Sequence, residues 1–433
     1  MKKSKFIYSV EKDNKVICYS TLYNTIIVIS SKAFHVFNNE SLEVYEKNYP
    51  NNYHTFVENK FIIEDNIDEI EELRIFNKIQ TYNNRLFELT IIPSMDCNLH
   101  CWYCFENHIP NSKMSNEVQE SIIKYIQKKI ENKDILRLKV EYFGGEPLLY
   151  FDDVAYPLGI ALKSICEQNN ITISFSFITN ASLITPKMID QFVELNAGFQ
   201  ITLDGNKNKH DKIRFQKQNH QGTYQQIINN IYLLTERIEN TKINIRINYD
   251  EKTLEGIEDI LKDLSGLDRK KVIIHLERVW QTPNLSNNLS LKKAINLFII
   301  NGFEISYLNW NFKGYTCKAE RFNQLVVNYD GKVFKCTGRN FTDELSDGVI
   351  KENGDVQWKP GRLGRRIGKA TFENHLCLNC EMLPQCMGPC SQKQIEVGPD
   401  RLHDVCMLNA LEMEMAEYLE YTYNNMATIQ KII

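Results

Sequence analysis

The sequence predicts an α/β chain in three spans: a partial barrel of six strand-helix units at 86–309, a small α+β unit before it at 1–85, and a cysteine-rich unit after it at 310–433. Three observations carry this. Within the middle span, apolar strand runs alternate with longer helical patterns, which argues for parallel βα units, and six of them suit a partial barrel better than a closed eight-stranded one. Before residue 86 the runs are short and separated by turn residues. Past residue 310 the chain turns rich in Gly, Asn, charge and cysteine.

In the first span, residues 6–10, 15–20 and 25–30 read as short strands, with Asp13-Asn14 as a turn. Ile67, Ile70, Leu73, Ile75 and Phe76 recur at near-helical spacing among acidic residues and predict an amphipathic helix. Barrel strands are expected at 86–92, 136–143, 171–178, 198–203, 242–248 and 271–276. Thr185-Pro186 reads as the N-cap and first-turn proline of a helix ending at Leu195. In the last span, Asn328-Tyr329-Asp330-Gly331 predicts a hairpin turn that puts Cys336 at a strand end. Leu411, Met415 and Leu419 predict a covering helix over 408–423.

Composition sets bounds. With 433 residues, 43% of them hydrophobic, the chain can build a full core. A net charge of -4 argues against a nucleic-acid binder. The start, Met1-Lys2-Lys3-Ser4-Lys5, meets Glu11, Lys12 and Asp13 before any long apolar stretch, so no signal peptide is expected. No run reaches the roughly 18 apolar residues that span a bilayer, so no membrane partner is expected and the location is cytoplasmic. The 12 cysteines then read as thiols, and metal ligation is the use that so many suggest. The basic run Gly361-Arg362-Leu363-Gly364-Arg365-Arg366 reads as a solvated loop; contact with an acidic peptide or a redox partner is the other reading.

Cys97, Cys101 and Cys104, spaced C-x3-C-x2-C just past the first barrel strand, are the sharpest chemical signal. Four-iron clusters normally take four cysteines, so a three-cysteine loop leaves one iron for a small molecule. A zinc site or a disulfide is the alternative, but zinc favours two separated ligand pairs, and disulfides need an oxidising compartment. The loop, with aromatic Tyr103 before its last cysteine, resembles the signature of the radical S-adenosylmethionine (radical SAM) superfamily. The resemblance implies that SAM chelates the open iron and is split to a 5′-deoxyadenosyl radical, which takes a hydrogen atom from substrate.

Gly144-Gly145-Glu146-Pro147 follows the second barrel strand. Paired glycines let backbone approach a ligand closely, and the proline stiffens the exit, although a double glycine often marks only a turn. Placed one strand after the cysteine loop, it resembles the family's strip that binds the amino group of SAM. Asn180 and Asp204 follow the third and fourth strands, where the family places polar contacts to SAM or substrate; an Asx turn or cap is the other reading. His210, Asp211 and Arg214 resemble an HD-x2-R segment of closer relatives, with packing as the alternative role. Glu277 and Arg278 are expected at the same barrel mouth. No catalytic acid or base is assigned.

Cys317, Cys336, Cys377, Cys380, Cys386, Cys390 and Cys406 resemble the SPASM extension of radical SAM peptide and protein maturases. By that pattern Cys377, Cys380, Cys386 and Cys406 hold one auxiliary cluster, and Cys317, Cys336 and Cys390 hold another that is one protein ligand short. A zinc ribbon is the alternative for Cys377 to Cys390. Cys18 and Cys166 fall outside both patterns and read as buried residues. The first span resembles the small peptide-recognition domain of enzymes that modify ribosomal peptides, where a leader adds as an extra strand.

Taken together, the resemblance implies a maturase with three [4Fe-4S] clusters and SAM that crosslinks side chains of a leader-bearing precursor peptide. It implies an electron donor such as flavodoxin or ferredoxin. An anaerobic sulfatase-type maturase making formylglycine is the nearest alternative, and a non-catalytic iron-sulfur electron carrier is the alternative of another class.

Overall fold

The computed structural model of the chain describes residues 1–307, 316–367, 371–410 and 413–429. Contacts divide the chain into two compact units: Met1–Thr81 with Asn309–Cys317 and Gly368–Ile433, and Tyr82–Leu308 with Lys318–Ile367. This division runs across the three spans read from the sequence, because residues 318–367 extend the barrel sheet.

In the first unit, β1 (Ile7–Lys12), β2 (Lys15–Ser20) and β3 (Thr25–Ser30) form an antiparallel meander. Asp13 and Asn14 take left-handed φ values of 51° and 60°, which a two-residue hairpin turn requires and which Asp and Asn tolerate best after glycine. Three helices that the sequence reading did not anticipate follow: α1 (Ser31–Asn39), α2 (Leu42–Asn48) and α3 (Pro50–Glu58). Ser30 and Ser41 cap the first two by accepting the backbone N–H of Ala33 and Val44. Their apolar faces bury Phe37, Tyr45 and Phe56 against Val16 and Cys18 of β2. The expected amphipathic helix is α4 (Glu69–Tyr82).

The second unit is built on β4 (Leu86–Ile91), β5 (Arg137–Tyr142), β6 (Thr172–Thr179), β7 (Ala197–Leu203), β8 (Ile243–Tyr249) and β9 (Val272–Arg278), close to the six expected runs. A seventh strand, β10 (Glu304–Tyr307), pairs parallel with β9. On the opposite edge, β11 (Gln324–Val327) pairs parallel with β4, aligning Leu89 with Leu325. From β11 the sheet continues antiparallel through β12 (Lys332–Phe334), β13 (Gly348–Ile350) and β14 (Val356–Trp358). The order β10-β9-β8-β7-β6-β5-β4-β11-β12-β13-β14 is an open sheet of 11 strands. The turn at Asn328–Gly331 falls where expected, with Gly331 at φ +78°.

Buried and polar residues alternate along these strands: Leu138, Val140 and Tyr142 of β5 are buried, whereas Lys139 is exposed and Glu141 half-buried. The apolar face meets helices α5 (Asn116–Glu131), α6 (Tyr156–Gln168) and α7 (Pro186–Leu195). Thr185 caps α7 as expected, accepting the Met188 N–H. Parallel strands covered on both faces are apolar throughout, so the alternation marks the other face as one not covered by helices.

Two sequence expectations change. Residues 362–367 form a short helix in which Arg366 is buried and pairs with Asp347 Oδ2 at 3.3 Å, because a guanidinium folded onto a buried carboxylate is no longer a solvated loop. The C-terminal helix runs Met415–Ile429; Leu408 lies in the preceding 3-10 turn, and Leu411 lies outside the described residues. Among the described residues no helix is long and apolar enough to cross a membrane. None of the 12 cysteines is joined in a disulfide, and Cys18 and Cys166 are fully buried.

Candidate functional site

The carboxyl ends of β4 to β9 open on one cavity of about 450 Å³, within the size range of small-molecule sites. Cys97, Cys101 and Cys104, on the loop after β4, all line it, as do Tyr103, Gly144, Gly145, Glu146 and Asn180. Pro147 and Asp204 are buried but do not line it. Arg278 reaches the cavity; Glu277 is tied to His275, 3.1 Å away.

The double glycine is dictated by space. Gly144 and Gly145 hold φ values of +81° and +49°, and a Cβ on Gly145 would lie 2.1 Å from the Asp96 carbonyl oxygen. That carbonyl accepts the Glu146 N–H at 2.8 Å, which seats the turn on the cysteine loop. Glu146 is consumed internally: its carboxylate accepts Thr179 Oγ1, Leu148 N and Asn180 N. Burial raises its pKa to about 6 in spite of these bonds. The turn thereby fixes Asn180, whose Oδ1 accepts Ser182 N in an Asx turn while Nδ2 donates to Asn98 Oδ1 of the cysteine loop. The Asx-turn reading of Asn180 therefore holds, and the residue also lines the cavity.

Behind the cavity lies a buried network. Arg214 Nε donates to Asp204 Oδ2 at 2.5 Å, and Arg214 Nη2 donates to Tyr103 Oη at 2.6 Å. Tyr103 Oη donates to the same Asp204 oxygen, and Asn248 Nδ2 reaches both Tyr103 Oη and Asp204 Oδ1. The phenol of Tyr103 is thus pinned by three side chains. Asp204 acts through Tyr103 and Arg214.

His210 holds this network in place. The Asp204 N–H donates to Nδ1 at 3.3 Å, which leaves the neutral ring's proton on Nε2, facing Thr223 Oγ1 at 3.2 Å. Thr223 in turn donates to the Arg214 carbonyl. Full burial lowers the His210 pKa from 6.5 to about 4. A depressed folded-state pKa gives stability that is complete above pH 6.5 and lost as pH falls through 4, of order 3 kcal/mol. In urea unfolding, the gap between the wild type and His210→Gln should therefore narrow as pH drops from 7 to 4; a constant gap would refute this role.

Several lining residues were not anticipated from the sequence. Glu106 Oε2 accepts the Gly145 N–H at 2.7 Å, Oε1 has no partner among the described residues, and burial raises the carboxyl to about 7. His108, Arg246 and Lys318 also line the cavity, the last paired with Glu141 at 2.5 Å. For Arg246, and for the Glu141 that pairs with Lys318, the signal available was the alternation of polar residues along β8 and β5. Of the other cysteines, Cys377, Cys380, Cys386 and Cys406 line a separate, largely apolar cavity of about 240 Å³; Cys317, Cys336 and Cys390 are absent from that lining.

The model of the radical SAM superfamily matches residues 91–264. The chain carries a radical SAM domain. Among curated proteins, the radical SAM cyclopropyl synthase TigE of Paramaledivibacter caminithermalis is 24% identical over 89% of each chain. The cysteine-type anaerobic sulfatase-maturating enzyme of Clostridium novyi is 25% identical, covering 72% of this chain and 89% of its own. The solved structure of native anSMEcpe with bound AdoMet and Cp18Cys peptide superposes with a TM-score of 0.59 at 20% identity, over 80% of this chain and all of that one, and so shares the fold.

The radical SAM family binds SAM and a four-iron cluster, and the donor set fits that pair. Burial pushes the thiols of Cys97 and Cys101 up and that of Cys104 to about 11, and a cationic metal centre bound there would supply the charge that makes them thiolates. The cradle at Gly145 admits no side chain, and the unmet Glu106 oxygen offers an acceptor to a ligand that carries N–H groups.

Proposed function

We propose that the chain takes a hydrogen atom from a ribosomally made precursor peptide and closes a side-chain crosslink, as a thioether, carbon-carbon or ether bond. The convergence of Cys97, Cys101 and Cys104 with the Gly144-Gly145 turn on one cavity carries this reading. When bound, the cluster and SAM supply a 5′-deoxyadenosyl radical. The protein's part is to bind, orient and exclude water. The three cysteines would hold the cluster, Gly144, Gly145 and Asn180 would receive the methionine end of SAM on a turn seated by Glu146 and Pro147, and Tyr103 would back it, set by Asp204 and Arg214.

Crosslinking by oxidation leaves an electron to remove, and auxiliary clusters give it an exit. Cys377, Cys380, Cys386 and Cys406 are assigned to one, supported by their shared cavity; Cys317, Cys336 and Cys390 are assigned to the other. A flavodoxin or ferredoxin in the cytoplasm supplies the first electron. The meander β1–β3 offers edge strands to a leader peptide. TigE, whose match spans 89% of this chain, is named as a cyclopropyl synthase, which supports chemistry at a carbon centre.

The sulfatase-maturating relative favours a second reading, formylglycine formation. Anaerobic incubation of the reconstituted protein with SAM, reductant and candidate precursor peptides separates the two. Loss of two hydrogens with every residue retained supports crosslinking, cysteine that loses sulfur supports formylglycine, and no release of 5′-deoxyadenosine leaves only an electron carrier.

A further inference from the structure

The loop carrying Cys104 is tied to a segment that lies more than a hundred residues further along the chain. Leu99 pairs with Gln216 in an isolated bridge, and the Lys217 N–H donates to the Asn98 carbonyl at 2.9 Å. This places the Lys217 ammonium 3.3 Å from His108 Nδ1, while His108 Nε2 lies 3.6 Å from Cys104 Sγ. The hydrogen positions follow from chemistry. An ammonium has donors and no acceptor, so Nδ1 must accept. A neutral imidazole then carries its one proton on Nε2, which faces the Cys104 sulfur. His108 also lines the cavity that the three cysteines share.

Hydrogen bonds to cysteine sulfur are among the levers that set the potential of an iron-sulfur cluster, because they stabilise the more negative, reduced form. Building on the cluster assignment above, we infer that His108 is a positioning residue of the redox centre: held by Lys217 in the Nε2–H tautomer, it donates to the Cys104 sulfur and eases one-electron reduction of the SAM-binding cluster. The electron comes from an external reductant. Asn180 Nδ2, 4.0 Å from Cys97 Sγ, and Leu99 N, 3.5 Å from it, serve a different sulfur, while the Glu106 backbone also bonds the Cys104 sulfur and is unchanged when the His108 side chain is replaced.

The test is a redox titration, followed by electron paramagnetic resonance, of the full chain reconstituted with iron and sulfide. Only the signal that SAM addition alters is read, which separates this cluster from the others. In His108→Phe the ratio of reduced to oxidised cluster at a fixed potential should fall about tenfold, equivalent to about 59 mV for a one-electron couple. His108→Gln, which keeps an N–H donor, should stay within about threefold of the wild type. Lys217→Met should shift in the same direction as His108→Phe and by less, since the ring can then take either tautomer. An unshifted His108→Phe, or a Gln variant shifted as far as the Phe variant, overturns the inference and leaves the cluster assignment standing. If the Phe variant holds no cluster, Lys217→Met decides, and no shift there overturns it. A wild-type protein with no SAM-responsive signal overturns both.

Discussion

Replacing Cys97, Cys101 and Cys104 together by alanine should abolish the release of 5′-deoxyadenosine from SAM and remove about one third of the bound iron, since one of three expected clusters loses its thiolates. Cys377, Cys380, Cys386 and Cys406 line their own cavity in the other compact unit, so their share of the iron should persist. The fold should persist too. Cys101 and Cys104 are not core residues, and Cys97, although buried, loses only its sulfur on replacement by alanine. Iron analysis, thermal unfolding and nucleoside release, run side by side, check the three parts. Undiminished cleavage of SAM would refute the assignment of this loop, and complete loss of iron would refute the independence of the second group.

The barrel strands were legible because each carries five or more residues with buried positions in register, as in Leu138, Val140 and Tyr142. Among the strands not legible as sheet members, two were missed for different reasons. At Glu304–Tyr307 the run Glu-Ile-Ser-Tyr is too short and too polar to stand out. At Gln324–Val327 the strand was visible as one arm of a hairpin, but its parallel pairing with Leu86–Ile91 joins segments more than two hundred residues apart. No local pattern encodes such a pairing, so the extension of the barrel sheet by residues 318–367 was missed. The helices at 31–58 carried readable caps in Ser30 and Ser41 that the strand reading passed over.

The site divides in the same way. Spacing within one loop gave the cysteines, and a dipeptide gave the glycine turn. Glu106 and His108 were invisible because their roles depend on where the loop folds back: Glu106 matters only where Gly145 arrives, and His108 only where Lys217 does. The HD-x2-R segment divides between packing and cavity lining. His210 is a buried brace with no access to the cavity, whereas Arg214 lines it and completes the network behind Tyr103.

That network makes Arg214→Leu the most damaging single change expected in the barrel. Arg214 and Asp204 are both more than nine-tenths buried and joined at 2.5 Å, and the guanidinium also lies 5.8 Å from the Tyr103 ring centroid. Loss of the cation strands the Asp204 carboxylate among Tyr103 and Asn248, a situation that costs roughly 3–5 kcal/mol in proteins. Burial works against the Arg214 charge, yet the Asp204 carboxylate beside it holds its pKa well above the usual value, so the cation is not given up by titration. Lysine in its place should recover only part of the loss, because one ammonium cannot copy the forked contacts of Nε and Nη2 to Asp204 and Tyr103. Removing the partner as well, in Arg214→Leu with Asp204→Asn, should restore most of the stability, since a neutral amide leaves no charge unpaired. Catalysis should not return with it, because Tyr103 would still lack its donor. Urea unfolding of the apoprotein reads the first effect and 5′-deoxyadenosine release the second. A double variant as unstable as Arg214→Leu would show that the arginine acts by packing, and one that cleaves SAM at the wild-type rate would show that the position of Tyr103 does not depend on it.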